Sequence, residues 1–319
     1  MPDAAPEPLS RFREDIAALI GAEVNGAVRF GVAVSGGPDS MALLWLAANC
    51  FPGRVLAATV DHGLRAEARG EAEMVARWCA GQDIAHSILT PPAPISGSVQ
   101  SAARTARYTL LEDWREREAI GWLLTAHHAD DQLETVLMRL NRASGVGGLA
   151  GIRARNGHIL RPLLRWRREE LATLADEQSL PHVHDPSNAD LRFDRAALRV
   201  KLAGVDWLDP IAATQSAAAC ADAEEALAWV VSGLTERHVR RADDGRIVLD
   251  RHDFPREILR RLLLRMLAMA GPDEAPPRGE SIEQAIIQLL SANKVSVGKW
   301  LISGGDEWTV CAAPPRLTR

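Results

Sequence analysis

One six-residue segment limits the possible folds of this chain more than any other feature of its sequence. The segment reads Ser35-Gly36-Gly37-Pro38-Asp39-Ser40. Apolar residues dominate positions 28–34 before it and 41–46 after it, which predicts a buried strand, a tight glycine turn and the start of a helix. The glycines let backbone N–H groups approach a bound anion, and the proline suits a first helical turn. Asp39 is a carboxylate where phosphates are expected, which fits a metal ion that the phosphates share.

The composition sets broad limits on the class of protein. A chain of 319 residues that is 47% hydrophobic can bury a large core and is expected to hold two domains. Its net charge of −5 means that a nucleic-acid partner would bind local arginine patches. Its four cysteines include no CxxC pair, which disfavours a thiolate-bound zinc or iron–sulfur centre. We find no signal-peptide pattern and no apolar stretch near the roughly 18 residues that span a bilayer, so we expect a cytoplasmic protein.

Strand and helix signals alternate through the first two-thirds of the chain. After the first strand, we predict strands at 54–60, 84–90 and 120–125, and helices at 66–81, 101–118 and 131–140. This alternation predicts an α/β fold with a doubly wound, mostly parallel sheet that helices cover on both faces. Ligands bind beyond the carboxyl ends of the strands in such sheets. The polar segments 35–40, 61–65 and 127–134 all follow strands, so we expect them to share one site.

The sequence changes in character near residue 206. We predict helices at 212–241, 255–270 and 281–292, followed by a β-hairpin at 300–311. We therefore divide the chain into a first domain at 1–204 and a smaller, mainly helical C-terminal domain at 205–319 that ends in the hairpin. The phosphate and metal candidates all precede residue 204, so we expect the first domain to hold the complete phosphate and metal site.

A second chemical signal lies between a predicted strand and a predicted helix. It reads His127-His128-Ala129-Asp130-Asp131-Gln132-Leu133-Glu134-Thr135. In helical geometry His127 and Asp131 share a face, and so do Asp130 and Glu134. An acidic helix N-terminus stabilised by the helix dipole would explain the carboxylates but not the paired histidines. A zinc site is disfavoured, because the spacing is not HExxH.

With both segments in view, the chain resembles the tRNA(Ile)-lysidine synthetase family of PP-loop ATP pyrophosphatases, from Val32 to about Arg199. Further matching pieces are Asp61-His62-Gly63-Leu64-Arg65, Ala103-Arg104-Thr105-Ala106-Arg107-Tyr108, the glycine segment ending at Gly151, Arg161-Pro162-Leu163-Leu164 and Asp185-Pro186-Ser187-Asn188. The glycine loop marks the superfamily, and the Asp-His-Gly-Leu-Arg and His-His-x-Asp-Asp-Gln segments mark the family. Ala143 and Ala196 depart from the family's usual glycine and asparagine, which affects details of tRNA contact more than the reaction.

The resemblance implies a ligase that uses ATP and Mg²⁺. ATP would adenylate the wobble cytidine of tRNA(Ile) with a CAU anticodon, and free L-lysine would then displace AMP to give lysidine. The loop at 35–40 would bind the ATP phosphates, Asp39 and Asp131 would hold Mg²⁺, and His127 would contact a phosphate or assist proton transfer. One of three acidic residues would receive the lysine ammonium, and the sequence does not choose among them. These candidates are Asp61, Asp130 and Glu134.

Arginines supply the candidate tRNA contacts, because arginine pairs with phosphate and stacks on bases. Arg104 and Arg107 lie three apart on one predicted helix face, Arg161 and Arg165 belong to a denser patch, and Arg195 belongs to a third group. We expect the patch around Arg161 to bind tRNA and the C-terminal domain to position it. The tryptophans stand mostly beside apolar residues, so we expect them in the core rather than stacked on bases.

Two alternative functions stay open at this point. One is another PP-loop tRNA-modifying enzyme, such as a thiolase, although the cysteine spacing argues against the reactive cysteines that known thiolases of this type need. The other is a catalytically silent nucleotide- or RNA-binding protein on the same fold, against which the intact acidic and histidine groups argue. The sequence does not fix the oligomeric state.

Overall fold

A computed structural model describes residues 7–21, 27–63, 67–92, 99–183, 194–275, 277 and 279–313. The chain divides into two compact units, Met1–Ala221 and Asp222–Arg319. The division falls inside a long helix, Pro210–His238. The predicted domain boundary at 204/205 precedes this helix and stays a prediction. Within the described ranges, no helix is long and apolar enough to cross a membrane.

The first unit is built on a six-stranded sheet. Its strands are β1 (Phe30–Ala33), β2 (Val55–Val60), β3 (Ala85–Leu89), β4 (Trp122–Leu124), β5 (Arg155–Asn156) and β6 (Ile159–Leu160). They lie in the order β3-β2-β1-β4-β6-β5, and every neighbouring pair is parallel except β5 with β6. The predicted α/β fold with a mostly parallel sheet is confirmed.

Helices connect and cover these strands. They are α1 (Pro8–Ile20), α2 (Pro38–Cys50), α3 (Glu67–Gly81), α4 (Val99–Arg117), α5 (Ala129–Leu140), α6 (Val146–Leu149), α7 (Arg168–Glu177), α8 (Asp194–Leu202) and α9 (Pro210–His238), with a 3-10 helix at Pro162–Arg165. Helix α1 is not among the sequence predictions. Its Phe12 and Ile16 are fully buried in the same core as β1, so it completes one covering layer of the sheet.

The strand β1 lies at the centre of this core. Phe30 is fully buried, and its ring stacks on Phe51 with the centroids 4.6 Å apart. Gly31 faces Trp114 of α4, and a Cβ at this glycine would come within 2.6 Å of the indole ring. Only glycine allows so close an approach of helix to strand. This packing fixes β1, and with it the start of the loop at 35–40.

The second unit combines helices with a five-stranded antiparallel sheet. After α9 come β7 (Val239–Arg241), β8 (Ile247–Leu249), α10 (Arg256–Ala270), α11 (Gly279–Leu290), β9 (Lys294–Val297), β10 (Trp300–Ser303) and β11 (Trp308–Ala312). The strands lie in the order β7-β8-β11-β10-β9. The predicted hairpin is confirmed as β10 with β11, and it is the middle of a larger sheet. Residues 239–241, predicted as the end of a helix, instead pair with β8 as a strand.

Candidate active site

The loop after β1 forms the strand–turn–helix junction that the sequence predicts. Gly36 has a φ of +85°, a conformation that favours glycine, and Pro38 lies in the first turn of α2. The Ser40 hydroxyl donates to the Gly37 carbonyl at 2.9 Å and accepts from the Ser35 backbone N–H at 3.2 Å. These hydrogen bonds stabilise the turn. The turn leads into the N-terminus of α2, and helix N-termini bind anions readily.

A cleft of about 870 Å³ lies at the carboxyl ends of β1, β2 and β4. The predicted site residues that line it are Ser35, Gly37, Pro38, Asp39, Ser40, Arg107, His127, Asp131 and Arg195. The cleft is also lined by four side chains to which the sequence assigned no individual role, and by two arginines that belong to the predicted arginine groups. The first are His62, Glu71, Tyr108 and His128, and the second are Arg168 and Arg199. The structure thus brings the loop, the paired histidines and a group of arginines together within the first unit.

His128 is buried among three carboxylates at the start of α5. Its Nε2 lies 3.6 Å from Asp39 Oδ2 and 3.5 Å from Asp131 Oδ2, and its Nδ1 lies 3.6 Å from Asp130 Oδ2. Burial by itself lowers the pKa of this imidazole, but the three carboxylates outweigh burial and raise the pKa to about 10. His128 is therefore a cation at neutral pH that holds acidic residues of α2 and α5 together.

His127, the preceding residue, has the opposite charge state. Burial lowers its pKa to about 4. The Asp131 carboxylate raises the pKa, but the positive charges of Arg161, Arg104 and Arg195 lower it further. Its Nδ1 lies 3.1 Å from the Thr125 hydroxyl oxygen. His127 is thus a neutral imidazole in the cleft at physiological pH, able to donate or accept one hydrogen bond at each nitrogen.

Asp130, a candidate for binding the lysine ammonium, is already paired. Its carboxylate accepts the Arg168 backbone N–H at 2.8 Å and lies 3.3 Å from the Arg167 guanidinium. Burial raises the pKa of Asp130, but His128, the Arg168 N–H and Arg167 together hold it well below its usual range. This carboxylate fixes the start of α7 beside α5 and so places the Arg168 side chain on the cleft.

Glu134, the second candidate, is 4% exposed and is shared by two arginines of α8. It accepts from Arg199 Nε at 2.6 Å and from Arg199 Nη2 at 3.1 Å, and Arg195 Nε lies 3.3 Å away. The third candidate, Asp61, accepts the Gly63 backbone N–H at 2.9 Å. None of the three acidic candidates is among the described residues that line the cleft, so the choice among them stays a prediction.

The structure separates the arginines that were predicted to bind tRNA. Arg161 is 5% exposed and donates to the Arg153 carbonyl at 2.6 Å, which conflicts with the expected tRNA contact, because phosphate has no approach to a buried guanidinium. Arg165 and Arg104 are exposed, and Arg104 lies over the Tyr108 ring at 5.1 Å. The predicted motif pieces at 64–65 and 185–188 lie outside the described residues.

Asp39 and Asp131 fit the magnesium ion that the resemblance implies. Asp39 Oδ1 is buried without a hydrogen-bond partner among the described residues, and both carboxylates line the cleft. Mg²⁺ is usually held by one or two carboxylates plus substrate phosphates and water. In the described part of the chain, no group of three or more His, Cys, Asp or Glu side chains is arranged to hold a metal ion, so phosphates would have to complete the coordination.

Comparison with known proteins agrees with this geometry. Residues 8–205 match the family model of the PP-loop domain, and the chain is therefore built on a PP-loop domain. The solved U34-tRNA thiolase NcsA from Methanococcus maripaludis shares the fold, with a TM-score of 0.54, 15% identity, and coverage of 66% of this chain and 77% of that chain.

Curated relatives identify the family more narrowly. The tRNA(Ile)-lysidine synthase of Zymomonas mobilis is 38% identical over 97% of this chain and 95% of its own length. The tRNA(Ile)-lysidine synthase of Ruegeria pomeroyi is 42% identical over 86% of this chain and 69% of its own length. That of Novosphingobium aromaticivorans is 41% identical over 93% of this chain and 94% of its own length. This chain belongs to the tRNA(Ile)-lysidine synthase family.

Proposed function

We propose that this protein is an ATP-dependent ligase that adenylates the wobble cytidine of tRNA(Ile) with a CAU anticodon and joins free L-lysine to it. Lysidine, AMP and pyrophosphate are the products. The observation that carries the proposal is the single cleft in which the loop at 35–40 meets His127 and Asp131. Family membership supplies the substrate class. Since ATP, lysine and tRNA are cytosolic, we place the reaction in the cytoplasm.

In this proposal the first step takes place at the glycine loop. The backbone N–H groups of the loop, which begin α2, bind the phosphates that leave as pyrophosphate. Asp39 and Asp131 would hold Mg²⁺, which when bound neutralises charge on the leaving group. His128, as a cation between these two carboxylates, keeps them oriented. Preorganised charges of this kind are a large part of catalysis in a cleft.

Arginines at the cleft supply the proposed contacts with tRNA. Arg107 and Arg195 line the cleft, and Arg104 and Arg165 are exposed. Guanidinium groups bind backbone phosphates without reading sequence, so these residues would orient the anticodon stem rather than select it. The C-terminal domain is proposed to position the tRNA so that the cytidine reaches the adenylation site.

The cysteines weigh against a thiolase. All four are free, and Cys50 and Cys79 are buried. Burial raises the pKa of the Cys79 thiol to about 12, which makes it a poor nucleophile at neutral pH. Cys220 and Cys311 belong to different units. The buried Cys50 and Cys79 therefore offer no reactive pair for sulfur transfer.

The test is an incorporation assay with purified protein. Total tRNA, ATP, Mg²⁺ and radiolabelled lysine are incubated with the wild-type chain, and label in tRNA is measured against a reaction without ATP. We expect ATP-dependent labelling of a tRNA(Ile) transcript with a CAU anticodon, and none when its wobble cytidine is replaced by uridine. Binding of ATP and tRNA without labelling would indicate the silent binding protein instead.

A further inference from the structure

One histidine of the cleft, His62, takes no part in the proposed adenylation step. His62 follows β2 and lines the cleft together with the loop at 35–40. Both of its ring nitrogens are buried, and neither has a hydrogen-bond partner among the residues that the structure describes. Unpaired buried polar atoms are unfavourable, and native proteins retain them mainly where a ligand or a reaction uses them.

The surroundings of His62 keep its imidazole neutral. Burial lowers the pKa of His62, the Arg107 guanidinium of α4 lowers it further, and neighbouring Asp61 raises it only in part. Glu71 of α3 lines the same cleft. The Glu71 carboxylate favours binding of an amine in this part of the cleft, and a neutral imidazole can accept a proton from that amine.

The other histidines of the described cleft and the two magnesium candidates already have contacts or roles. Both ring nitrogens of His128 face carboxylates, Nε2 those of Asp39 and Asp131 and Nδ1 that of Asp130. Asp39 and Asp131 pair with His128 and are the magnesium candidates. His127 shares a hydrogen bond with Thr125. Among the described histidines that line the cleft, His62 is therefore the neutral one whose nitrogens are both unpaired.

We propose that His62 accepts the proton that the lysine nitrogen loses as it attacks the adenylated cytidine. This inference rests on the proposed function and concerns its second step. Lysine reacts as the free amine, and its nitrogen lone pair forms a bond to the ring carbon that carries the adenylate oxygen. That nitrogen then gives one proton to His62, and the carbon–oxygen bond breaks with its electron pair leaving on AMP. The products are the lysidine cation, AMP and protonated imidazole, so charge and atoms balance.

The experiment separates the two steps in the full-length protein. Without lysine, single-turnover pyrophosphate release reports adenylation of the tRNA. Adding lysine then reports transfer, as AMP release and lysidine formation. His62→Ala should leave adenylation within about threefold and slow transfer about 100-fold or more, the usual contribution of a general base. Free imidazole should restore transfer in this variant in proportion to its concentration, which a merely structural role would not allow.

A pH profile gives a second readout. Below the ordinary histidine pKa of about 6.5, wild-type transfer should fall with protonation of both the amine and His62. The transfer rate of His62→Ala should fall only because the amine becomes protonated. The logarithm of its rate should therefore depend on pH with a slope that is smaller by one than in the wild type. If His62→Ala lowers the melting temperature, His62→Gln is used in its place. The matched control is His158→Ala, because His158 is exposed and does not line the cleft.

The outcomes distinguish this inference from the proposed function. Equal loss of both steps in the His62 variants overturns the inference, and so does slow transfer without imidazole rescue or a change in pH slope. Normal transfer by His62→Ala overturns it as well, while leaving the ligase assignment intact. A wild-type chain that forms no lysidine refutes the proposed function itself.

Discussion

Replacing Glu134 by glutamine tests whether this carboxylate is structural or binds lysine. Its two oxygens accept from Arg199 at 2.6 and 3.1 Å, and Arg195 lies 3.3 Å from one of them. Glutamine keeps the shape of the side chain and one acceptor oxygen. Its NH₂ group, however, is a donor and would face one of the two Arg199 nitrogens that donate to Glu134. One charge-assisted hydrogen bond, worth about 1.5–3 kcal/mol, is lost and a donor–donor contact replaces it.

The partial exposure of the two arginines limits this cost. The side chains of Arg199 and Arg195 are 27% and 43% exposed, so both can turn toward water when the carboxylate is gone. We therefore expect Glu134→Gln to destabilise the first unit by about 2–3 kcal/mol. For a unit of this size, that corresponds to a fall in melting temperature of roughly 4–12 °C.

Differential scanning calorimetry measures the melting temperature, and lysine titration of the transfer step measures the lysine KM. The matched control is Glu169→Gln, whose side chain is 75% exposed and 3.5 Å from Arg167; an exposed pair of this kind contributes at most about 1 kcal/mol. A melting temperature of Glu134→Gln within about 1 °C of wild type, together with a tenfold higher lysine KM, would refute the structural role and assign Glu134 to lysine.

The other predictions test the metal site, the tRNA contacts and the division of labour. Asp39→Ala removes a carboxylate with an unpaired Oδ1, so pyrophosphate release should stop in a protein that still folds, with a lower melting temperature because buried His128 loses one carboxylate partner; normal turnover at saturating Mg²⁺ contradicts the metal role. Arg165→Ala should weaken tRNA binding and flatten its salt dependence, and an unchanged salt slope removes Arg165 from the interface. A chain ending at Ala221 should bind ATP but modify tRNA poorly. A chain ending at Leu208 also loses the buried hydroxyl of Thr214, so its melting temperature should be lower. Full activity of either truncated chain would refute the proposal that the C-terminal domain is needed to position tRNA.

Long segments with a clear hydrophobic pattern could be predicted from the sequence. The strands β1 and β2 are continuous apolar runs that end at polar or glycine-rich turns, and α2 and α5 begin directly after such turns. The three-residue strands β7 and β8 are too short to show an alternating pattern, and β7 continues the helical pattern of α9. Their existence depends on pairing with β11 and with each other, which is information from distant parts of the chain.

The location of the site could also be predicted, because polar segments that follow parallel strands must meet at one edge of the sheet. The burial of individual side chains could not. Arg161 is 5% exposed, while Trp207 and Trp229, which we expected in a core, are each 79% exposed. Nothing local in the sequence distinguishes these environments. Arg199, by contrast, belongs to the same predicted arginine group as Arg195, which it follows by four residues on α8, and this spacing on one helix face agrees with their common place at the cleft.

The paired histidines show why charge states need the assembled structure. His127 and His128 are adjacent, yet the pKa of the first falls to about 4 and that of the second rises to about 10. The difference arises from what each ring faces, since His128 points at carboxylates of two helices while His127 is half-buried and feels the charge of the buried cation Arg161. Arg161, predicted to bind tRNA, therefore acts inside the protein, where its charge helps keep His127 neutral. In the proposed function the neutral ring of His127 would contact substrate and the ring of His128 would orient the acidic residues, so two neighbours that the sequence presents as equivalent would have different tasks.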